Sequence, residues 1–373
     1  WPTGFIHFVD KAVKNTVPPS LSGTPQVGAT LRAAKGRWKP KPSYTYQWLA
    51  DLVPIEGATA QTFTPGPDQV GAQVSARVTA TKEAHTPGVL DTPATEPIAK
   101  GELVSTAPPA VSGDAEVDAV LTATPGTWSA TPDSTSYQWR SDGVLLGGAT
   151  QSQLTLTSAM VGTTITAAEV ARRSGFVKGT AAAPQAVGPV VEGVIEEVTP
   201  ITASGRNHYG AQLAVEPGTT DPEDVTTTYA WLRDGIAIEG ALEPTYLPTE
   251  ADVGHAISAQ ITMAKPRYRS IVRTFDFART TTPSTVGVRT SGRKRKAVVR
   301  VRVAAPGTTP SGPVRVKVGR TKEQGVLDNG FVRVVLDGLK PGERTVKVVF
   351  AGDGIAQRSR GVAAVLVRKG KKK

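Results

Sequence analysis

Apolar and polar residues alternate with period two along most of this chain. In "YTYQWL", Tyr46 and Trp48 fall on one side and Gln47 and Leu49 on the other. Tyr137 with Trp139, and Tyr229 with Trp231, repeat the arrangement. Further on, Val74, Ala76 and Val78 alternate, as do Ile165 with Ala167, and Ile257, Ala259 and Ile261. Alternation of this kind predicts strands that bury one face. From about Thr285 it becomes strict, in "AVVRVRVAA", "SGPVRVKVG" and "GFVRVVLDGL". Pro and Gly interrupt every window that could hold a helix. The pattern therefore predicts an all-β chain.

The strands come in copies. Trp48, Trp139 and Trp231 stand 91 and 92 residues apart. Gly57, Gly148 and Gly240 keep that step, as do Gly71, Gly162 and Gly254. "GRW" at 36–38 returns as "GTW" at 126–128, and in the third copy as "GTT", with Gly218 kept and the Trp lost. A period near 90 is the size of a small domain, so each copy can close its own core. Tyr46, Trp48, Tyr137, Trp139, Tyr229 and Trp231 are expected to be core anchors. "SDG" (141–143) and "RDG" (233–235) predict two-residue hairpins. The first copy has "ADL" there, which predicts a different turn.

A strand with Tyr and Trp, a "DG" hairpin and then "DQVG", "AMVG" or "ADVG" before another strand resembles an immunoglobulin-like sandwich. "PPSLSGTPQVGATL" (18–31) and "PPAVSGDAEVDAVLTATPGTW" (108–128) resemble the tandem Ig-like repeats of secreted and surface proteins of actinobacteria. The resemblance covers about residues 17–280. It implies a string of about four Ig-like β-sandwiches, without the two core cysteines of antibody-type domains. The segment after Thr285 resembles a second bacterial Ig-like type through Pro310–Val314, "LDGLKPGERTV" (336–346) and Phe350–Asp353.

At 373 residues the chain exceeds one ordinary core. The expected division is an extension or the end of a preceding domain (1–16), repeats at 17–100, 101–189 and 190–282, a basic domain (283–368) and a polybasic tail (369–373). Residues 1–16 are apolar enough to dock on the first sandwich. Semi-stiff linkers are expected at 95–109, 183–193 and 279–287, where Pro and small residues collect. The start at Trp1 rather than Met reads as a mature, cleaved or truncated product. No apolar run approaches the length of a membrane span.

Charge changes the picture at one end. The net charge of +11 is the sum of 22 Lys/Arg against 5 Asp/Glu in residues 289–373 and 21 against 27 before them. Alternation turns Arg300, Arg302, Arg315, Lys317 and Lys347 outward. If their strands share one sheet, its outer surface is a basic plate, and Lys371, Lys372 and Lys373 add to it. Such a plate attracts an anionic surface polymer, glycan, lipid head group or nucleic acid. Nucleic acid fits least, because Phe331 is the one aromatic available for stacking beside the core residue Phe350. The competing view is that Lys and Arg only deter edge-to-edge pairing.

Catalytic and metal chemistry find little support. Cysteine is absent, which removes disulfides, thiolate ligands and a cysteine nucleophile. The four His, at 7, 85, 208 and 255, have no ligand-type spacing. "DPED" (221–224) is an acidic loop with weak calcium potential. No nucleophile elbow, phosphate loop or dinucleotide fingerprint occurs. The chain is expected to need no cofactor or metal and to be no enzyme. The expected role is an extracellular or cell-surface rod that spaces or anchors a partner. The alternatives are an adhesion module, whose basic domain attaches to an anionic surface polymer or whose sandwich-end loops bind a glycan or surface protein, and a phage virion or filament component; a homo-oligomer or filament is among the expected assemblies.

Overall fold

The computed structural model describes residues 11–369. The chain divides between Glu192 and Gly193 into two compact units, and each holds two β-sandwiches. Among the described residues there is no α-helix, only the single 3-10 turns Pro67–Gln69, Ser158–Met160 and Glu250–Asp252.

The second repeat shows the common plan. Strands Ala110–Ser112, Val120–Thr124 and Gln153–Thr155 form one sheet in that order. Val144–Leu145, Ser134–Ser141, Ile165–Arg172 and Gly179–Ala182 form the other. The first repeat builds its four-stranded sheet around Ser43–Ala50 and Val74–Thr81, and the third around Thr226–Arg233 and Ala256–Ala264. The last sandwich has the same plan despite its different sequence. Thr285–Arg293, Lys296–Ala304 and Phe331–Leu336 face Thr321–Leu327, Gly312–Val318, Gly342–Phe350 and Ser359–Val367. Three strands facing four, with the chain changing sheets after its second strand, is the Ig-like sandwich. The chain is thus all-β, with four such sandwiches in succession.

One anchor is repeated in three cores. Trp48, Trp139 and Trp231 are fully buried. Their indole N–H groups donate to the carbonyls of Ala60 (2.8 Å), Gln151 (2.9 Å) and Glu243 (2.9 Å), each twelve residues further on. A buried indole needs such a partner, so this bond ties the third strand to the loop that follows its hairpin. Tyr137 is buried, and Tyr46 and Tyr229 are half-buried against the same cores. Desolvation raises all three phenols above their ordinary pKa.

The loss of the second Trp in the third repeat has a local compensation. A Cβ on Gly88 would run into the Trp38 ring, and one on Gly179 into the Trp128 ring. The third repeat carries Thr220 at the Trp position and Ile271 at the Gly position, and Ile271 packs on that core. Large-with-small has been exchanged for small-with-large, which conserves volume.

The "ADL" turn differs from the sequence expectation. Asp51 and Leu52 adopt φ of 47° and 70°, close to Asp142–Gly143 (44°, 80°) and Asp234–Gly235 (48°, 83°). The Asp carboxylate explains why the turn persists. It accepts the backbone N–H of Gln73, Thr164 or Ala256 at the start of the neighbouring strand, at 2.8–2.9 Å. Leu52 therefore sits in a left-handed conformation with 77% of its surface exposed. Leu52→Gly is expected to raise the stability of the first repeat by about 1 kcal/mol, read from its denaturation midpoint.

Residues 12–16 belong to the first sandwich, although the sequence division placed them in the extension. Lys14–Val17 pairs with Arg37–Lys39, and Val13 is buried beside Trp38 and Ala80. Residues 1–10 lie outside the described range.

Candidate interaction surfaces: the joints and the basic faces

The glycine of the "D-V-G" mark acquires a physical role at the joints. Gly71, Gly162 and Gly254 have φ of 84°, 87° and 84°. Their N–H groups donate to the outgoing chain at Ile98 (2.9 Å), Val190 (2.8 Å) and Thr280 (2.9 Å). Each sandwich thus pins the segment that leaves it.

In the first unit that segment has no free stretch. Ile98 N–H donates to Ala72, Ala99 N–H to Pro25, and Val27 N–H to Ala99, at 2.9–3.0 Å. Gln26 Nε2 donates to Lys100, and Gly101 N–H to Gly175 of the second repeat. The connection is shorter than the expected linker, because Gly101–Glu102 already pairs with Phe176–Val177. Phe176 also reaches across. It packs on the core that contains Val27, Leu31 and Ile98, while the Arg173 guanidinium lies 5.3 Å from its ring centre.

In the second unit the joint is bonded on both sides as well. Gly254 N–H and Thr281 N–H donate to Thr280 and Asn207 respectively, and Thr282 N–H donates to Ile355. Gln357 N–H donates back to Thr282 at 2.8 Å. Thr280 and Thr282 are fully buried, and Thr280 Oγ1 donates to Asn207 Oδ1 at 2.8 Å.

Positive residues of the last sandwich point outward but do not share one plate. Arg300 and Arg302 lie on the three-stranded sheet, whereas Arg315, Lys317 and Lys347 lie on the four-stranded one. Alternation fixes which way a side chain points. It says nothing of which sheet holds the strand, and the chain changes sheets between Ala304 and Gly312. Lys371, Lys372 and Lys373 lie outside the described residues. Register adds cations the sequence analysis missed. Arg289, Arg300 and Arg333 stand opposite one another across three strands, and so do Lys322, Lys317 and Lys347 on the other sheet. Each is exposed. "TVGVR" and "FVRVV" carried the signal for Arg289 and Arg333.

Several acidic and histidine groups of the third repeat are engaged in structural contacts. Asp252 is fully buried in the third repeat. It accepts Arg233 Nε (2.7 Å), Tyr246 Oη (2.7 Å), and the Thr249 N–H (2.6 Å) and Oγ1 (2.8 Å). Burial alone would raise its pKa, but these donors together hold it below the ordinary value. In the "DPED" loop, Asp224 receives the Lys265 ammonium at 2.6 Å. His255 contacts Asp234 at 2.6 Å, and the His85 and His208 rings bond backbone carbonyls. His7 lies outside the described residues. Among the described residues no three His, Cys, Asp or Glu are grouped to hold a metal ion, and no helix is long and apolar enough to cross a membrane.

No family defined by sequence matches the chain, and no curated protein matches it. Several solved structures are similar. One is a calcium-stabilised adhesin with which an Antarctic bacterium binds ice, at 10% identity over 95% of this chain and 99% of that one, TM-score 0.33. Another is a tetra-tandem repeat from the extending region of a large adhesion protein, at 14% over 94% and 99%, TM-score 0.30. A third is the three N-terminal domains of the highly immunogenic outer capsid protein of bacteriophage RB49, at 15% over 70% and 97%, TM-score 0.23. At these identities and TM-scores the likenesses carry no argument about this chain.

Proposed function

We propose that the chain is a non-catalytic spacer of the cell surface or extracellular space, holding what is joined to its ends at a set separation. The joints carry this reading. Residues 98–101 and 280–282 are hydrogen-bonded on both sides, so within each unit the chain passes from one sandwich to the next without a flexible linker. A spacer needs that property, because a free Gly- or Ser-rich link would let neighbouring domains swing. The sequence resemblance to secreted and surface repeat proteins supports the extracellular placing. Adhesion through the basic domain is the second reading, favoured by the unpaired cations of the last sandwich.

The test lies in the first unit. The chain has no cysteine, so Val53→Cys and Val144→Cys, both at exposed positions, give a unique spin-label pair across the joint. A narrow distance distribution is expected. Phe176→Ala removes about 1–2 kcal/mol of apolar contact and should broaden it while both repeats stay folded. A distribution already broad in the parent chain would refute the spacer.

A further inference from the structure

We infer that the outer face of the three-stranded sheet in the last sandwich binds a linear, carboxylate-bearing polysaccharide. The inference goes beyond the spacer reading and does not depend on it.

The first observation is a row of like charges. Arg289 stands opposite Arg300, and Arg300 opposite Arg333, on adjacent strands. Neighbouring strands are about 4.8 Å apart, so three guanidinium groups share a line of about 10 Å. Like charges placed directly opposite destabilise a sheet. The four-stranded sheet carries a second such row, of Lys322, Lys317 and Lys347, but the first repeat shows the paired alternative. Arg77 stands opposite Asp91 and donates to both carboxylate oxygens, at 2.8 and 2.9 Å. Among the described residues Arg289, Arg300, Arg302 and Arg333 have no such carboxylate; Asp337, at the end of the neighbouring strand, is engaged by Lys296.

Edge protection covers Arg289 and Arg333, which lie on the outer strands, but not the middle of the row. That device places charge on edge strands, but Arg300 and Arg302 sit on the central strand, Lys296–Ala304, paired on both sides. An external anion would both relieve the repulsion and fit the planar fork of each guanidinium, which accepts a carboxylate through two parallel bonds.

The second observation is an apolar platform beside the row. Gly287, Arg302 and Phe331 form the next outward rank. Gly287 carries no side chain, so the rank is open at one end. Phe331 is 54% exposed, and the Arg302 guanidinium holds one side of it, 5.2 Å from the ring centre. Together these residues line an open concavity of about 470 Å³.

These features select among anions. A sugar ring offers an apolar face to Phe331 while its carboxylate meets an arginine. Nucleic acid asks for a series of stacking platforms, and this face has one. A lipid surface asks for exposed aliphatic residues, and those of this domain, Val326, Val362 and Leu366, belong to the four-stranded sheet.

The experiment measures binding of the full chain to polygalacturonate, with neutral dextran, duplex DNA and phosphatidylglycerol vesicles as comparators, at low and physiological salt. Binding to polygalacturonate alone at physiological salt is expected. Arg289→Gln, Arg300→Gln and Arg333→Gln combined should weaken it by about 10-fold or more. The matched set Lys317→Gln, Lys322→Gln and Lys347→Gln removes the same charge from the other sheet and should change it by less than about 3-fold. Removing the arginine repulsion should leave the melting temperature of the domain equal or higher, which separates lost binding from lost folding. Equal losses in the two sets, tighter arginine-dependent binding of DNA or vesicles, or no binding by the parent chain would each overturn the inference. None of these results bears on the joint distances that test the spacer.

Discussion

Trp231→Ala should cost the third repeat about 3–5 kcal/mol and unfold it first among the four sandwiches. The side chain is fully buried and stacks on Tyr246 and Phe277, with ring centres 5.3 and 5.8 Å away. Its N–H holds the Glu243 carbonyl, so truncation leaves both a cavity and a buried unpaired acceptor. The third repeat is exposed to this loss because it carries no second Trp; Thr220 stands where Trp38 and Trp128 serve the others. Trp231→Phe keeps the stack and loses the hydrogen bond, and should cost about half as much. Hydrogen exchange reports the outcome strand by strand. Amides of Thr226–Arg233 and Ala256–Ala264 should lose protection, while Ser43–Ala50 and Val74–Thr81 in the other unit keep theirs. Unchanged protection of the third repeat would mean that its core is anchored elsewhere.

Much of this architecture is legible in the sequence, because it rests on local periodicity and on residues that recur. Alternation places Val299, Val301 and Val303 inward, and they are buried. The recurrence of Trp48 at 139 and 231 marks three copies of one core. The limits have equally definite causes. "ADL" is a foreign turn in sequence because a leucine in the left-handed region is uncommon, yet Asp51 makes the same bond to the neighbouring strand as Asp142 and Asp234. The basic plate divided in two because alternation does not encode sheet membership. Pro and small residues mark the joints as semi-stiff segments at 95–109 and 279–287, but not the bonds that hold them, because most of those bonds are made by backbone groups. The Phe176 contact has only a weak trace in sequence. His85, Phe176 and Tyr268 share one position, each donating its N–H three residues back, so the side chain offered there varies among copies.

Asp252 was illegible for a related reason, and its removal should be the second most damaging change. It belongs to the "ADVG" mark, but Gln69 and Met160 occupy its position in the other repeats, so the mark points to the glycine and not to a buried carboxylate. Asp252→Ala would strand the Arg233 guanidinium, the Tyr246 hydroxyl and the Thr249 N–H, and should cost about 3 kcal/mol at neutral pH. Asp252→Asn keeps the shape but not the charge, and isolates the electrostatic part. The carboxyl is held below its ordinary value of 3.8, against the opposing effect of burial, by Thr249, Tyr246 and Arg233. A depressed carboxyl stabilises the fold while ionised. That contribution is complete above the unfolded value and disappears as pH falls through the folded one. The stability gap between the parent chain and Asp252→Asn should therefore be wide at pH 7 and close once pH drops well below 3.8. The partner supplies an independent readout. Tyr246 is pushed up to about 12, first by burial and then by its bond to Asp252. In Asp252→Asn the burial remains and the charged acceptor does not, so the phenol should titrate lower, yet still above 10.0, in ultraviolet difference spectra. A stability gap that persisted unchanged into acid, with Tyr246 unmoved, would show that Asp252 acts through shape alone and that its charge contributes nothing to the repeat.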